Sequence, residues 1–377
     1  MSNYSRKHFN FYCGVDLHKN KSFIYVLDAE GNKVCSEEIV SSKKSFTDFF
    51  STYNPDEIQV ALEISSLTFS FCDVLQEMGI SVYVVNTLEN HYLSHSLKKS
   101  DKEDSRKLAI QLWKDILPPP VYIPEKEERQ IRRFISHRHF LVKELTRVIN
   151  RTCHILSNYD IRLTRRALVS QKKWKQLLNS LKEMEDEVIL LEFTTLYQQF
   201  LSFRNQIKET ERLLLSNLRA NARFNNMYEK LLSVPGMGVV VSSALIGCLG
   251  KVERFRCGRE VISYLGLCPK VRQSAGKSLG SGGITKQGNS RLRGYLTQAA
   301  LSVLRSRNSS AAPLRNWYEQ LRRKKGWRTA RIALARKIAS IAFGVLKTDT
   351  PYDPSKIRHS SHCKTVKISS KSQIITE

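Results

Sequence analysis

The first 118 residues alternate short apolar runs with amphipathic segments, a pattern typical of strands that alternate with helices. The stretch FYCGVDLHKNKSFIYVLDAEGNKVCSEEIV (11–40) predicts three strands joined by turns. Further strands are predicted at EIQVALEIS (57–65) and ISVYVVN (80–86), and helices at TFSFCDVLQEMG and DKEDSRKLAIQLWKD. A hairpin followed by alternating strands and helices predicts an α/β domain over residues 1–118, which ends at the proline-rich LPPPVYIP.

Residues 119–225 differ in composition, because they are highly charged, contain few glycines and carry apolar residues at helical spacing. This pattern predicts two long helices, which could form an antiparallel hairpin or a coiled-coil arm. A helical bundle that carries no chemistry is the simpler interpretation of the same pattern.

Residues 226–347 return to a mixed, glycine-punctuated sequence that predicts a mostly α-helical C-terminal domain. The pattern predicts two helices with a turn between them over 231–250, a loop that becomes a helix over 282–306, and a basic helix pair over 315–347. Residues 348–377 are rich in Ser and Lys and contain few apolar residues, so they predict a disordered basic tail.

The charge balance changes this picture, since 61 Lys and Arg residues outnumber 35 Asp and Glu residues and give a net charge of +26. Such an excess predicts a polyanionic partner. Nucleic acid fits better than a membrane, because no apolar run approaches the roughly 20 residues that cross a bilayer. The N-terminus has no apolar signal core and the eight cysteines have no zinc-knuckle spacing, so the sequence predicts a cytoplasmic protein without a cysteine metal site.

Four acidic residues of the first domain occur where strand and helix ends could bring them together. Asp16 lies in the first strand, Glu63 ends a later strand, and Asp101 and Asp104 open the last helix. This arrangement is expected of an RNase H-like fold that binds two Mg²⁺ ions, for which carboxylates are suitable ligands. Each acid alone could have a simpler role, in a bulge, in a pair with lysine or at a helix N-terminus. The four together favour metal binding.

The turn SVPGMGVV (233–240) resembles a helix–hairpin–helix turn, with Gly236 and Gly238 as its glycines. Backbone N–H groups at the N-terminus of the following helix would suit a phosphate. An ordinary tight connection between two helices explains the same residues.

A second glycine-rich segment spans YLGLCPKVRQSAGKSLGSGGITKQGNSRLRG (264–294). It has few apolar side chains that could pack in a core and many polar and basic side chains that could bind a ligand. Its candidate nucleic-acid-binding cations are Lys270, Arg272, Lys277, Lys286, Arg291 and Arg293. They surround four serines, which are Ser274, Ser278, Ser281 and Ser290. A serine hydroxyl near cations and metal could attack phosphorus. In a flexible phosphate-binding loop, the serines would only donate hydrogen bonds.

Five blocks of this sequence occur together, and in the same order, in one known family. They are GVDLHKN, ALEIS, KKSDKEDSRKLA, LLSVPGMGVVVSSALIGCLGKVERFRCGREVISYLGLCPK and QSAGKSLGSGGITKQGNSRLR. Through them the chain resembles the DEDD transposases of the insertion-sequence 110 family, which include the Piv-type DNA invertases. The resemblance covers residues 11–115 and 226–305, with a helical segment between them.

The resemblance implies a RuvC-like N-terminal domain, a coiled-coil region and a C-terminal transposase domain that holds a nucleophilic serine. It assigns the Mg²⁺ ligands to the four acids named above and the nucleophile to Ser274. The chain departs from the family motif with Lys270 after Pro269 and Ala275 after the serine, which makes Ser278 the second candidate. The family further implies a structured bridge RNA that pairs with target and donor DNA, and a tetrameric assembly.

The sequence therefore predicts a site-specific DNA recombinase of an insertion sequence, active at the bacterial nucleoid in the cytoplasm. In this hypothesis Ser274 attacks a phosphate beside the carboxylate-bound ions and forms a phosphoserine-linked DNA end, which the hydroxyl of a second strand then releases. Two alternatives stay open: a RuvC-like junction nuclease that uses water, and a non-catalytic nucleic-acid-binding protein. A trapped protein–DNA adduct would separate the recombinase from the nuclease.

Overall fold

The structure, a computed structural model, describes residues 8–87, 89–90, 100–184, 186–274 and 277–357. The side chains of residues 271–282 lie outside this description. The chain divides into two compact units, Met1–Pro124 and Glu125–Glu377. None of the helices in the described ranges combines the length and the hydropathy that crossing a bilayer requires.

A mixed five-stranded sheet forms the centre of the first unit. Its strands are β1 Phe11–Leu17, β2 Lys21–Asp28, β3 Lys33–Val40, β4 Ile58–Glu63 and β5 Ser81–Val85. The helices in the described part of this unit are α1 Lys43–Phe50, α2 Thr68–Glu77 and α3 Asp101–Trp113. The strand order is β3-β2-β1-β4-β5, with antiparallel pairing from β1 to β3 and parallel pairing from β1 through β4 to β5. This mixed sheet confirms the predicted α/β architecture of the N-terminal domain.

The two faces of the sheet pack against different helices. On one face, Val15 shares an apolar core with Phe50 of α1. On the opposite face, Tyr25 packs with Ala109 of α3. Because successive side chains of a strand alternate between the faces, Asp16 lies on the α3 face.

The first unit extends a few residues beyond the predicted boundary at 118. The N–H of Val121 donates to the carbonyl of Val84 at 2.8 Å, and the hydroxyl of Tyr83 donates to the carbonyl of Pro118 at 2.9 Å. These bonds attach the proline-rich segment to β5, so the unit ends at Pro124.

The described part of the second unit is mostly helical, which confirms that part of the predicted architecture. Its helices are α4 Lys126–Asn158, α5 Gln171–Lys182, α6 Glu187–Ala220, α7 Ala222–Leu232, α8 Val239–Leu249, α9 Gly258–Tyr264, α10 Ser290–Arg305 and α11 Ala312–Thr348. A two-stranded hairpin is formed by β6 Pro269–Ser274 and β7 Lys277–Ile284. Helix α11 is interrupted at Gly326, so it corresponds to the helix pair predicted over 315–347.

The long helices α4 and α6 lie side by side and antiparallel. Arg138 of α4 binds Glu211 of α6 at 2.6 Å, and Arg151 binds Glu192 at 2.8 Å. Residue numbers therefore rise along one helix as they fall along the other. This arrangement is the antiparallel hairpin that the sequence left as one of two options.

The predicted domain boundary at residue 225 falls inside a single packed unit. Helix α7 crosses that position, and one apolar core contains Ile131 of α4, Leu218 of α6, Phe224 of α7 and Leu296 of α10. One end of the long helices thus contributes to the core of the C-terminal part. Within the described residues, no separation into two domains occurs at this point.

The C-terminal tail begins later than predicted. Residues 349–357 follow α11 and pack onto the second unit, where Ile357 is 9% exposed. The N–H of Tyr352 donates to the hydroxyl of Ser233 at 2.8 Å. The remainder of the predicted disordered tail, 358–377, lies outside the described residues.

Candidate active site

Asp16 and Glu63 lie next to each other at one edge of the sheet. Asp16 is the penultimate residue of β1, and Glu63 is the last residue of β4. The two strands are parallel and Val15 is paired with Leu62, so the next residue of each strand is an acid. Because facing residues of paired strands lie on the same side of a sheet, both carboxylates belong to the α3 face.

Helix α3 approaches β1 closely because the residue beneath it is a glycine. A Cβ atom placed on Gly14 would lie 2.1 Å from the carbonyl oxygen of Ser105 and 2.4 Å from the backbone nitrogen of Ala109. Any larger residue would hold α3 further from the sheet. Gly14 therefore sets the distance between the sheet and the first turn of α3.

The first turn of α3 carries Asp101 and Asp104. Ser100 caps the helix by accepting a hydrogen bond from the N–H of Glu103, so the helix begins at Asp101. The helix dipole favours negative charge at this end, which is one reason for acids here. Both carboxylates also lie close enough to Asp16 to repel its charge.

His18 is a candidate that the sequence analysis did not single out. Its Nε2 atom lies 3.1 Å from Oδ2 of Asp16 and 3.5 Å from Oδ2 of Asp101. One possible ligand atom from each of these three residues lies within 4.8 Å of the other two, a spacing that a single cation could bridge. The signal in the sequence is the motif DLH, since side chains two residues apart on an extended chain point to the same side.

Two buried amides support Glu63. Nδ2 of Asn90 donates to Oε1 of Glu63 at 3.5 Å, and Asn90 and Gln111 exchange side-chain hydrogen bonds of 3.1 and 3.0 Å. Burial raises the pKa of Glu63, the Asn90 hydrogen bond lowers it, and repulsion from Asp16 and Asp104 raises it. The pKa lies above the ordinary value, so the protein alone does not compensate the charged carboxylate.

Within the part of the chain that the structure describes, negative charge at this edge of the sheet exceeds the positive charge that nearby side chains supply. Burial raises the pKa of Asp16, and repulsion from Asp101 and Asp104 adds to that rise, while the adjacent His18 lowers it. Oδ1 of Asp104 is buried without a hydrogen-bond partner among the described residues, and Nζ of Lys107 lies 3.6 Å away from it. A cation would neutralise such an oxygen. The carboxylates fit Mg²⁺, and an imidazole nitrogen would suit Mn²⁺ as well.

The glycine-rich segment, predicted as a loop, forms an antiparallel β-hairpin. Ser274 is the last residue of β6, and its backbone pairs with Lys277, the first residue of β7. Of the other serines of this segment, Ser278 and Ser281 lie on β7, and Ser290 is the first residue of α10. Backbone pairing satisfies the N–H and C=O groups that face the partner strand, which stabilises a segment with few apolar side chains. Residues 275–276 and the side chain of Ser274 lie outside the described part of the chain.

The predicted nucleic-acid-binding cations differ in what their side chains contact. Lys270 and Lys286 are exposed, and Nη1 of Arg291 donates to the hydroxyl of Ser136 at 2.6 Å. Nη1 of Arg293 lies 3.2, 3.4 and 3.0 Å from three backbone carbonyls, those of Leu265, Gln287 and Gly288. Arg293 therefore stabilises the turn before α10. The side chains of the remaining two cations lie outside the described residues: Arg272 and Lys277.

The two glycines of the predicted helix–hairpin–helix turn have different surroundings. Gly236 has a φ of +85°, and a Cβ there would lie 2.5 Å from the carbonyl oxygen of Ala299 in α10. Backbone conformation and packing both require glycine at this position. Gly238 caps the N-terminus of α8, and a Cβ there would meet open space among the described residues. The open side of Gly238 is the part of the turn that could receive a phosphate.

Protein-family comparisons give matches in both units of the chain. Residues 13–161 match the transposase family model of the DEDD type found in IS110 elements. Residues 228–315 match the model described as the transposase IS116/IS110/IS902 family. The first range contains the four acids and the second contains Ser274. Together the two ranges span more than half of the chain.

Curated relatives agree with these matches. The chain is 25% identical to a probable family 20 transposase of Pseudomonas aeruginosa over 356 residues, which cover 90% of this chain and 98% of that protein. It is 25% identical to the transposase for insertion sequence element IS1328 of Yersinia enterocolitica, covering 90% and 97% of the two chains. It is 22% identical to the pilin gene-inverting protein of Moraxella bovis, covering 80% and 84%. With both family models matched in order and relatives aligned over most of their length, the chain belongs to the IS110 family of DNA transposases and recombinases.

Proposed function

We propose that this transposase cuts and rejoins DNA by means of a carboxylate metal site and a serine nucleophile. Asp16, Glu63, Asp101 and Asp104 would hold divalent cations, two Mg²⁺ ions in the simplest case. The observation that carries this proposal is the convergence of the four acids at one edge of the sheet, where burial and mutual repulsion raise the pKa of Asp16 and of Glu63. The parallel β1–β4 pair with α3 across its face supports an RNase H-like fold for this unit.

The side chains around the four acids support a cation more than a structural ion pair. The buried Oδ1 of Asp104 has no hydrogen bond from any residue that the structure describes, and Nε2 of His18 already faces Asp16 and Asp101. His18 would add its nitrogen to the carboxylate ligands, and Asn90 would keep Glu63 oriented. A bound divalent cation would stabilise the negative charge that develops on the scissile phosphodiester.

Ser274 would act as the nucleophile. Its Oγ would bond to phosphorus as the bond from phosphorus to the neighbouring sugar oxygen breaks, and that oxygen would leave with a proton. The hydroxyl of a second strand would then attack the phosphoserine, which rejoins the DNA and returns the proton to Ser274. The position of Ser274 at the end of β6, opposite Lys277, supports the assignment. Ser278 is the second candidate.

The partners follow from the family and the charge. DNA is the substrate that a transposase acts on. The net charge of +26 supports contacts with a second polyanion, for which we propose a structured bridge RNA that pairs with donor and target DNA. We further propose a tetramer that acts at the nucleoid in the cytoplasm.

Substitution of the acids tests this function. Asp16→Ala, Glu63→Ala and Asp101→Ala should each lower strand cleavage at least about 100-fold and leave the affinity for DNA unchanged. Asp48→Ala, an exposed acid of α1 outside the carboxylate site, is the matched control and should cleave at the wild-type rate. An Asp16→Ala variant that cleaves as fast as the wild type would remove Asp16 from the site.

A further inference from the structure

Helix α11 is broken at an exposed glycine. Gly326 has φ and ψ angles of 77° and 163°, in a backbone region open essentially to glycine alone. Apart from Gly326 itself, its two chain neighbours and the adjacent backbone of its own helix, no described atom lies within 4 Å of the position that its Cβ would occupy. Backbone conformation rather than crowding therefore requires glycine here. The helix is therefore kinked at a residue that is exposed to solvent.

A large aromatic side chain follows the break directly. Trp327 is 52% exposed, whereas tryptophan side chains are on average highly buried. Trp317, earlier in the same helix, packs against the apolar core of the second unit. Packing within the described residues thus accounts for Trp317 but leaves half of the Trp327 surface in solvent.

Six cations surround the break without accompanying acids. They are Arg322, Arg323, Lys324, Lys325, Arg328 and Arg331. The sequence contains no Asp or Glu between Glu319 and Asp349. Among the described residues, the one ion pair made by these six cations joins Arg322 to Glu319 at 2.7 Å. The patch is therefore strongly positive and largely uncompensated.

Two guanidinium groups lie over the tryptophan ring. The Cζ atoms of Arg328 and Arg331 are each 5.2 Å from the ring centroid. Arg331 follows Trp327 by four residues, so both side chains share one face of the helix. The Nε atom of Arg331 is buried and has no acceptor within the described part of the chain. The surface thus combines an aromatic face with donors that lack an anionic partner.

We propose that this surface, which we call the Trp327 patch and define as residues 322–328 and Arg331, binds an unpaired segment of nucleic acid. An unpaired base would stack on Trp327 while the flanking phosphates bind the arginines and lysines. A duplex could use the cations but not the ring, because neighbouring base pairs cover the faces of its bases. A second copy of the same patch would be repelled by its own cations. The proposal does not depend on the carboxylate site.

Equilibrium binding to matched oligonucleotides tests the proposal. The full chain is titrated in EDTA, which prevents cleavage, with single-stranded oligothymidylate DNA, single-stranded oligouridylate RNA, an abasic DNA strand and a duplex, all of equal length. The abasic strand keeps the phosphates and lacks the bases. Trp327→Leu should weaken binding of the base-containing single strands about tenfold and leave binding of the abasic strand and the duplex unchanged. Trp327→Phe keeps an aromatic ring and should retain most of the affinity.

Fluorescence gives a second, independent readout. The difference between the wild-type and Trp327→Phe emission isolates the signal of Trp327 from the other tryptophans. Single strands that contain bases should quench this signal, and the abasic strand should not. Thermal unfolding of both variants checks that the fold is intact, because Trp327 makes no core contact in the described residues.

The charge control removes two exposed cations elsewhere in the same unit. Arg165→Gln with Arg166→Gln should weaken binding of the base-containing and abasic single strands to the same extent, since it lowers net charge without touching the Trp327 patch. Tighter binding of RNA than of DNA would assign the patch to an RNA partner, and the reverse preference would assign it to a displaced DNA strand. Wild-type affinity of Trp327→Leu for both single strands would overturn the proposal. A change in the oligomeric state of Trp327→Leu without a change in its nucleic-acid affinity would also overturn the proposal.

Discussion

Replacing Gly14 with alanine tests the contact that positions the first turn of α3. The added Cβ would lie 2.1 Å from the carbonyl oxygen of Ser105 and 2.4 Å from the nitrogen of Ala109, and both are backbone atoms. Non-bonded heavy atoms need about 3.5 Å of separation. A backbone atom cannot rotate away as a side chain can, so α3 must move from β1 by at least about 1 Å.

This movement has two consequences of different size. Overpacking of this kind costs about 1–3 kcal/mol of folding free energy, so the chain should still fold. The same movement carries Asp101 and Asp104 away from Asp16. A misplacement of about 1 Å at a reacting centre lowers the rate about 100-fold. Gly14→Ala should therefore remain folded, with a modest loss of folding free energy, but its rate of DNA cleavage should fall about 100-fold.

Urea unfolding followed by circular dichroism measures the first consequence, and cleavage of labelled DNA with Mg²⁺ measures the second. Gly344→Ala is the matched control, because a Cβ there meets open space among the described residues. It should keep wild-type cleavage and be at least as stable as the wild type, since alanine is the better helix former. Wild-type stability together with wild-type cleavage in Gly14→Ala would refute the close-packing argument.

Three further predictions concern charge. Because the folded-state pKa of Asp16 is raised above its unfolded value of about 4, metal-free stability should fall as the pH rises through the folded-state pKa. Asp16→Asn should therefore raise the melting temperature at neutral pH in EDTA and flatten its pH dependence in calorimetry, and an unchanged profile would contradict this. Mn²⁺ bound to the wild type should show coupling to an imidazole nitrogen in electron spin echo spectra, and His18→Gln should lose it. Identical spectra would exclude His18 as a ligand. For DNA, log K should fall linearly with log salt by about 0.9 for each phosphate contact, whereas a flat dependence would show that the basic surface does not bind DNA.

The parts of the fold that the sequence predicted are those with a strong local pattern. The apolar strands of the first unit are continuous and bounded by turns, so their positions follow from periodicity. Asp16 and Glu63 stand out because each is an acid within or at the end of an apolar strand. Their proximity required knowledge that β1 and β4 are neighbours, which the order of elements along the chain does not state.

His18 and Gly14 were missed for a different reason. The role of Gly14 depends on the backbone of α3, about ninety residues later, and a single glycine in a strand carries no sign of that partner. His18 follows the strand and becomes informative only once Asp101 lies 3.5 Å away. Both residues contact a helix that is distant in the sequence, whereas the periodicity of apolar residues reports only local structure.

The hairpin of β6 and β7 shows the limit of propensity. The segment KSLGSGGI of β7 is rich in glycine and serine, which are poor strand formers, so the sequence favoured a loop. Backbone hydrogen bonds with β6 stabilise this strand, although its side chains do not predict one. Periodicity also does not report that Phe224, beside the predicted boundary at residue 225, packs into a core assembled from distant helices.

The covalent intermediate is the most direct test of the proposed chemistry. Wild-type protein is incubated with nicked suicide DNA, Mg²⁺ and the cognate RNA, separated by denaturing electrophoresis, and mapped by peptide mass spectrometry. We expect a shifted band with DNA attached at Ser274, and no adduct from Ser274→Ala although it still binds Mg²⁺ and nucleic acid. Attachment at Ser278 or Ser281 would refute the residue assignment and keep the mechanism. Full recombination by all three serine-to-alanine variants, with no adduct from any of them, would contradict the serine mechanism and favour hydrolysis by water.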